Sequence, residues 1–138
     1  MIFDTGIVFA ALDSSDAHHA SASRLIDSAD RIVLPAPTLV ELDWLGDSRG
    51  VPCTDAVLRG VTEGSVQVVD LTASDYTRVR QLCGVYADLR LGFVDASVVA
   101  IAERLGEETI ATTDHRHFSV VRPRHVASFA LVPSGPAG

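Results

Sequence analysis

The chain of 138 residues contains no lysine; all 11 of its basic residues are arginine. A P-loop nucleotide site and a Schiff-base enzyme each need a lysine, so both are disfavoured. Cysteine is scarce. Cys53 and Cys83 are related by neither CxxC nor zinc-finger spacing, and they read as two free buried thiols in a reducing compartment. No apolar run approaches the roughly 20 residues that span a bilayer. Asp4 interrupts the first apolar stretch and no basic segment precedes it, so the opening does not read as a secretion signal and a cytoplasmic protein is expected. A Gly-x-Ser-x-Gly motif is missing, which disfavours Ser/His/Asp hydrolysis. There is no internal repeat and no internal linker.

Acid is what the chain has in excess. Its 18 acidic residues against 11 basic ones give a net charge of −7. Such a chain repels nucleic acid unless it carries a local device to overcome the repulsion. Apolar residues make up 47% and charged residues 21%, within the globular range, so one folded domain is expected over residues 1–132. A flexible Pro/Gly/Ser-rich tail is expected over residues 133–138.

Apolar runs alternate with helical patterns. Met1-Ile2-Phe3 reads as a short buried strand that turns at Asp4 into a helix, Thr5 to Leu12. Asp16 is placed to cap a second helix, Ala17 to Ser28. Ile32-Val33-Leu34 is a strand ended by Pro35, and Pro37 suits the first turn of a helix through Thr38 to Leu45. Gly46 and Gly50 bracket a loop before a weaker helix, Asp55 to Thr62. Val66–Val69 is the third strand. Thr72 and Asp75 form a capping-box pattern ahead of a helix carrying Tyr76, Val79, Leu82 and Tyr86 and ending near Arg90. An apolar helix, Val94 to Leu105, is stopped by Gly106. Thr109–Thr112 is a fourth strand and Phe129–Val132 a fifth. Short apolar strands alternating with helices predict an α/β fold, a mainly parallel sheet of four to five strands covered by helices on both faces. Such sheets bind ligands beyond the carboxyl ends of the strands.

That rule selects four acids. Asp4 follows the first strand and Asp114 the fourth; Asp95 lies in the first turn of the Val94–Leu105 helix, and Glu41 in the helix after the second strand. Each stands among apolar or small neighbours, where an isolated charge is costly unless paired or bound to metal. Four converging carboxylates need a cation to stay ionised together, and hard divalent ions such as Mg²⁺ and Mn²⁺ prefer oxygen ligands. Taken singly, each acid has an ordinary reading: Asp4 as a helix cap, Asp95 as a partner of the helix dipole, Glu41 on an exposed face, Asp114 in a turn.

The four segments together resemble the PIN-domain ribonucleases, in particular the VapC-type toxins of bacterial toxin–antitoxin pairs. Met1-Ile2-Phe3-Asp4-Thr5 matches the strand ending in Asp-Thr, Val40-Glu41-Leu42 the acid on a helix, Gly92-Phe93-Val94-Asp95-Ala96 the third acid, and Thr112-Thr113-Asp114 with His117-Phe118 the last. The likeness runs from about residue 2 to residue 132. It implies a three-layer α/β/α sandwich, Mg²⁺- or Mn²⁺-dependent endoribonuclease activity that inhibits translation and growth, and a homodimer. It also implies a VapB-type antitoxin whose tail blocks the site. By position Asp4, Glu41, Asp95 and Asp114 would be the catalytic, metal-binding acids. Thr112 would orient the last acid or a water, and Thr5 is a weaker candidate beside it. Gly6 departs from the pattern, since Ser or Thr usually follows Asp-Thr. The resemblance suggests a structured RNA substrate, a tRNA or a ribosomal RNA loop.

The stretch 115–125 holds Arg116, His117, Arg122 and Arg124 and no acid, and could track an RNA backbone past the site; the alternative is an ordinary solvated loop. His115-x-His117 could suggest zinc, but no Cys or third nearby His completes a set, and His-x-His in a loop is more often solvated. Trp44 and the Tyr76/Tyr86 stripe could stack bases, although their helical spacing favours packing in the core or a dimer interface. Two other functions compete: a PIN-like binding module without catalysis, and a phosphoryl-transfer domain of the phosphatase or receiver type. The second needs another acid near Asp4 or a lysine, and the chain offers Thr5 and Gly6 there instead.

Overall fold

Hydrophobic alternation along a two-residue strand organises the whole molecule. In the computed structural model, which describes residues 1–135, Ile2 and Phe3 form strand β1 and are both fully buried. They point to opposite faces, as successive strand residues must. Ile2 joins a core cluster with Val79, Leu82, Val98, Val99, Ile101 and Phe118. Phe3 joins a second cluster with Ile7, Phe9, Leu34, Leu42 and Val57. The sheet therefore separates two apolar layers, and helices close both.

The elements run β1 (Ile2–Phe3), α1 (Thr5–Leu12), α2 (His19–Ser28), β2 (Ile32–Pro35), α3 (Ala36–Arg49), α4 (Cys53–Glu63), β3 (Val66–Val69), α5 (Ala73–Val85), α6 (Phe93–Leu105), β4 (Thr109–Ala111), α7 (His115–Val120) and β5 (Ala130–Val132). The strand order is β3-β2-β1-β4-β5, and every pairing is parallel. The expected α/β architecture is thus present. β1 is central: the chain first builds outward through β2 and β3, then returns to lay β4 and β5 on the other side. The β1–β4 seam is the point where the winding reverses, and ligand crevices of open parallel sheets form at such a seam.

Several local expectations need correction. Asp16 does not cap α2; His18 holds the cap position, and the Asp16 carboxylate instead accepts the His18 amide at 2.8 Å one turn earlier. Pro35 does end its strand as expected, as its last residue, level with Val69 on β3. The loop expected between Gly46 and Gly50 is helix, because α3 runs on to Arg49. Gly46 permits this by close approach: a Cβ there would lie 2.6 Å from the Val51 carbonyl oxygen. α5 stops at Val85, short of Arg90. Its capping box is formed with Asp in place of Glu, Thr72 and Asp75 exchanging side-chain and backbone bonds. Part of the 115–125 stretch folds as α7. Gly106 stops α6 as expected, taking the left-handed conformation with φ +69°. Cys53 and Cys83 are free thiols. Of the tail expected over residues 133–138, residues 136–138 lie outside the described part.

Candidate metal centre

The four acids selected from the sequence face one pocket. Asp4, Glu41, Asp95 and Asp114 line it together with Thr5, Gly6, Trp44, Leu45 and Thr113. The sheet explains the meeting. The Asp4 amide extends the β1–β4 ladder by bonding to the Ala111 carbonyl at 2.9 Å, so Asp4 emerges level with Thr112, one residue past the end of β4. α6 brings Asp95 in its first turn, with Gly92 in the cap position. α3 brings Glu41 from the opposite side.

Hydroxyl groups tie the acids in place. Thr112 is fully buried; its Oγ1 donates to Asp4 Oδ2 at 3.0 Å and accepts the Asp114 amide at 2.9 Å. Thr5 Oγ1 donates to Glu41 Oε1 at 2.6 Å. Glu41 is an exposed residue, so this bond fixes a side chain that would otherwise be mobile. Asp4 occupies the cap position of α1, but its side chain makes no capping bond. Simple helix capping does not account for its burial.

Electrostatics single out two carboxyls. Burial raises Asp4 to about 7, with the Asp95 charge adding to the effect and the Thr5 amide and Thr112 hydroxyl opposing it. Burial also raises Asp95 to about 6; His117 opposes this, and Asp114 and Glu41 reinforce it. Among the described residues no arginine forms an ion pair with Asp4. Asp4, the most deeply buried of the four acids, therefore has no arginine counter-charge in contact with it.

Chemically the donors suit a hard divalent cation. Three ligand atoms, one each from Asp95, Asp114 and His117, lie within 4.8 Å of one another, and Asp4 and Glu41 border the same space. His117 Nδ1 sits 2.7 Å from Asp114 Oδ2 and 3.3 Å from Asp95 Oδ2. The sequence places His117 among possible RNA contacts and does not by itself set it beside these two acids. The available signal was the three-residue step from Asp114 across a helical turn, visible only once α7 is recognised; Asp114 caps that helix, accepting the His117 amide at 3.2 Å.

The remaining basic residues lie elsewhere. Arg116 is exposed on α7. Arg122 bonds to the Ser119 carbonyl, and its amide to the Tyr86 hydroxyl. Arg124 bonds to Gln81, and its amide to Glu103. Neither Arg122 nor Arg124 lines the acid pocket. Trp44 and Tyr76 are not core residues, being 69% and 55% exposed. Tyr86 packs against the core through its ring. Gly6 also has a visible role: a Cβ there would fall 2.4 Å from Thr113 Oγ1, so a neighbouring threonine hydroxyl occupies the space a side chain at position 6 would need.

A parallel sheet with acids gathered at its reversal point defines a class, and comparison with known proteins names it. The PIN domain family model matches residues 1–122, and the chain belongs to that family. Among its relatives is Ribonuclease VapC26 of Mycobacterium tuberculosis (strain ATCC 25618 / H37Rv), 36% identical over 135 residues that cover 96% of this chain and all of the relative. The fold is also that of the crystal structure of Mycobacterium tuberculosis VapC20, a sarcin-ricin loop cleaving toxin. That match has a TM-score of 0.73 and covers 85% of this chain and 93% of the other, at 22% identity. No helix among the described residues is long and apolar enough to cross a membrane.

Proposed function

We propose that this protein is a Mg²⁺- or Mn²⁺-dependent endoribonuclease, the toxin of a toxin–antitoxin pair, acting in the cytoplasm and arresting translation and growth. The observation that carries the reading is the convergence of Asp4, Glu41, Asp95 and Asp114 on one pocket, two of them with raised carboxyl pKa values. The 36% identity to a ribonuclease supports the substrate class. The four acids would hold the cation, with the His117 imidazole beside Asp95 and Asp114. When bound, the cation neutralises the carboxylates, polarises water toward attack and offsets charge on the scissile phosphate. Thr112 keeps Asp4 and Asp114 in register, and Thr5 holds Glu41 toward the pocket. With the carboxylates ionised, no separate histidine base is required.

The partners follow from the same reading: an RNA loop, of tRNA or rRNA, as substrate, a VapB-type antitoxin that covers the acids, and a second copy of the chain. The decisive experiment incubates purified, antitoxin-free protein with total RNA and Mg²⁺. Discrete cleavage products that disappear with EDTA and in Asp4→Asn support the reading. Intact RNA under all conditions refutes it in favour of a binding module, and cleavage undiminished in Asp4→Asn and Asp95→Asn refutes the site.

A further inference from the structure

Trp44 is the only tryptophan of the chain, and it stands 69% exposed on the rim of the acid pocket, three residues along α3 from Glu41. Burying an indole ring is among the larger apolar gains open to a folding chain, yet this ring is left out of both core clusters. Two other exposed aromatics, Tyr76 and Phe93, stack on each other with centroids 6.4 Å apart, while Trp44 has no aromatic partner among the described residues. We propose that Trp44 is a stacking platform for a nucleobase of the substrate strand, next to the phosphate held at the acids.

The surrounding charges favour this occupant. A nucleic acid approaching this pocket meets four acids, and no arginine is among the described residues that line it: Arg122 and Arg124 bond to other parts of the protein, and Arg116 is exposed on α7. Phosphate contacts, which usually dominate affinity, have no arginine on the pocket wall to draw on. Base stacking supplies affinity that does not depend on net charge and accepts any base, because every base has a π face. The ring's place on the pocket wall puts the stacked base beside the reacting phosphodiester, so the residue would position the strand. Trp44 would thus be a positioning residue whose loss weakens substrate binding more than the chemistry. The inference rests on the ribonuclease reading, and its test separates the two.

Because Trp44 is the sole indole, its fluorescence reports the site directly. Wild-type protein with Mg²⁺ is mixed rapidly with a single-stranded oligoribonucleotide of about 12 nucleotides, and in parallel with an abasic oligomer of the same backbone. Quenching by the first and not by the second is expected. Trp44→Ala should raise KM about tenfold, more than it lowers kcat, and Trp44→Phe should restore most of the loss. Equal quenching by both oligomers overturns the proposal, as does cleavage without any quenching; in the latter case the ribonuclease reading survives. Base-dependent quenching without cleavage upholds the platform and removes the ribonuclease reading. Absence of both quenching and cleavage overturns both. A Trp44→Ala protein with unchanged KM and an altered elution volume assigns the ring to a protein contact and overturns the proposal.

Discussion

Thr112 and Asp4, 108 residues apart in the chain, meet side chain to side chain at 3.0 Å, and the same threonine oxygen accepts the Asp114 amide at 2.9 Å. One buried hydroxyl thus links the acids that follow β1 and β4. Thr112→Val preserves shape but leaves the Asp114 amide without its partner. It should lower stability by about 1–3 kcal/mol, as an unsatisfied buried donor does, and weaken Mn²⁺ binding about tenfold or more, as loss of a group supporting a metal ligand does. Thr112→Ser should retain both properties. Urea unfolding and metal titration check the pair of effects; a Val variant indistinguishable from wild type in both would show that the link is incidental.

The pH dependence follows from the two raised carboxyls. Unfolded, each titrates near 3.8; folded and without metal, Asp4 titrates at about 7 and Asp95 at about 6. Between those values the folded chain holds protons that the unfolded chain has released. Their contribution to stability is fully present below about pH 3.8 and is lost as pH rises through about 6 for Asp95 and 7 for Asp4. The melting temperature of EDTA-treated protein should therefore decline from about pH 5 to pH 8. Mg²⁺ should raise it more at pH 8, where the carboxylates are free to bind, than at pH 5. A metal effect that is larger at pH 5 would reverse the assignment.

Gly46 and Gly6, two of the three crowded glycines, should behave differently. A Cβ at Gly46 meets the Val51 carbonyl oxygen at 2.6 Å, which is backbone and cannot rotate away. A Cβ at Gly6 meets only the Thr113 hydroxyl, a side-chain end that can turn. Gly46→Ala should therefore destabilise by about 1–3 kcal/mol through overpacking, although alanine is the better helix former by about 1 kcal/mol. Gly6→Ala should fold near normally and disturb the pocket instead. Chemical denaturation of both variants distinguishes them; a stabilised Gly46→Ala would mean that α3 tolerates the shift.

Much of this site was readable in one dimension. The apolar step Ile2-Phe3 before Asp4, the Gly92 start of α6 before Asp95, and the Thr112–Asp114 segment after β4 each place an acid at the end of an element, and the sheet order then brings those ends together. What escaped the sequence depended on tertiary contacts. α3 continues through Gly46 because the Val51 backbone packs where a side chain would be. α7 is too short for periodicity to mark, so the step from Asp114 to His117 across a helical turn is not legible in the sequence. Trp44 lies at helical spacing, and spacing does not tell which face of α3 the neighbouring helices cover.

A stability control lies away from the acids. Arg78 and Glu103 form a two-pronged, largely buried pair, with Arg78 Nη2 2.8 Å from Glu103 Oε1 and Nε 2.8 Å from Oε2. Glu103→Ala strands the guanidinium and should cost about 3 kcal/mol. At a temperature where it remains folded, its metal affinity should match that of wild type. Loss of metal binding by the folded variant would show that the two regions are coupled.

Direct Mn²⁺ binding tests, without relying on RNA, whether Asp4, Glu41, Asp95 and Asp114 together hold a divalent cation. Free Mn²⁺ is followed by electron paramagnetic resonance while wild type, Asp4→Asn and Asp95→Asn are titrated at about pH 8. Wild type should deplete the free-ion signal, and each substitution should weaken binding by at least tenfold while folding is retained. Equal depletion by all three proteins, or none by wild type, would contradict a cation held by these four acids.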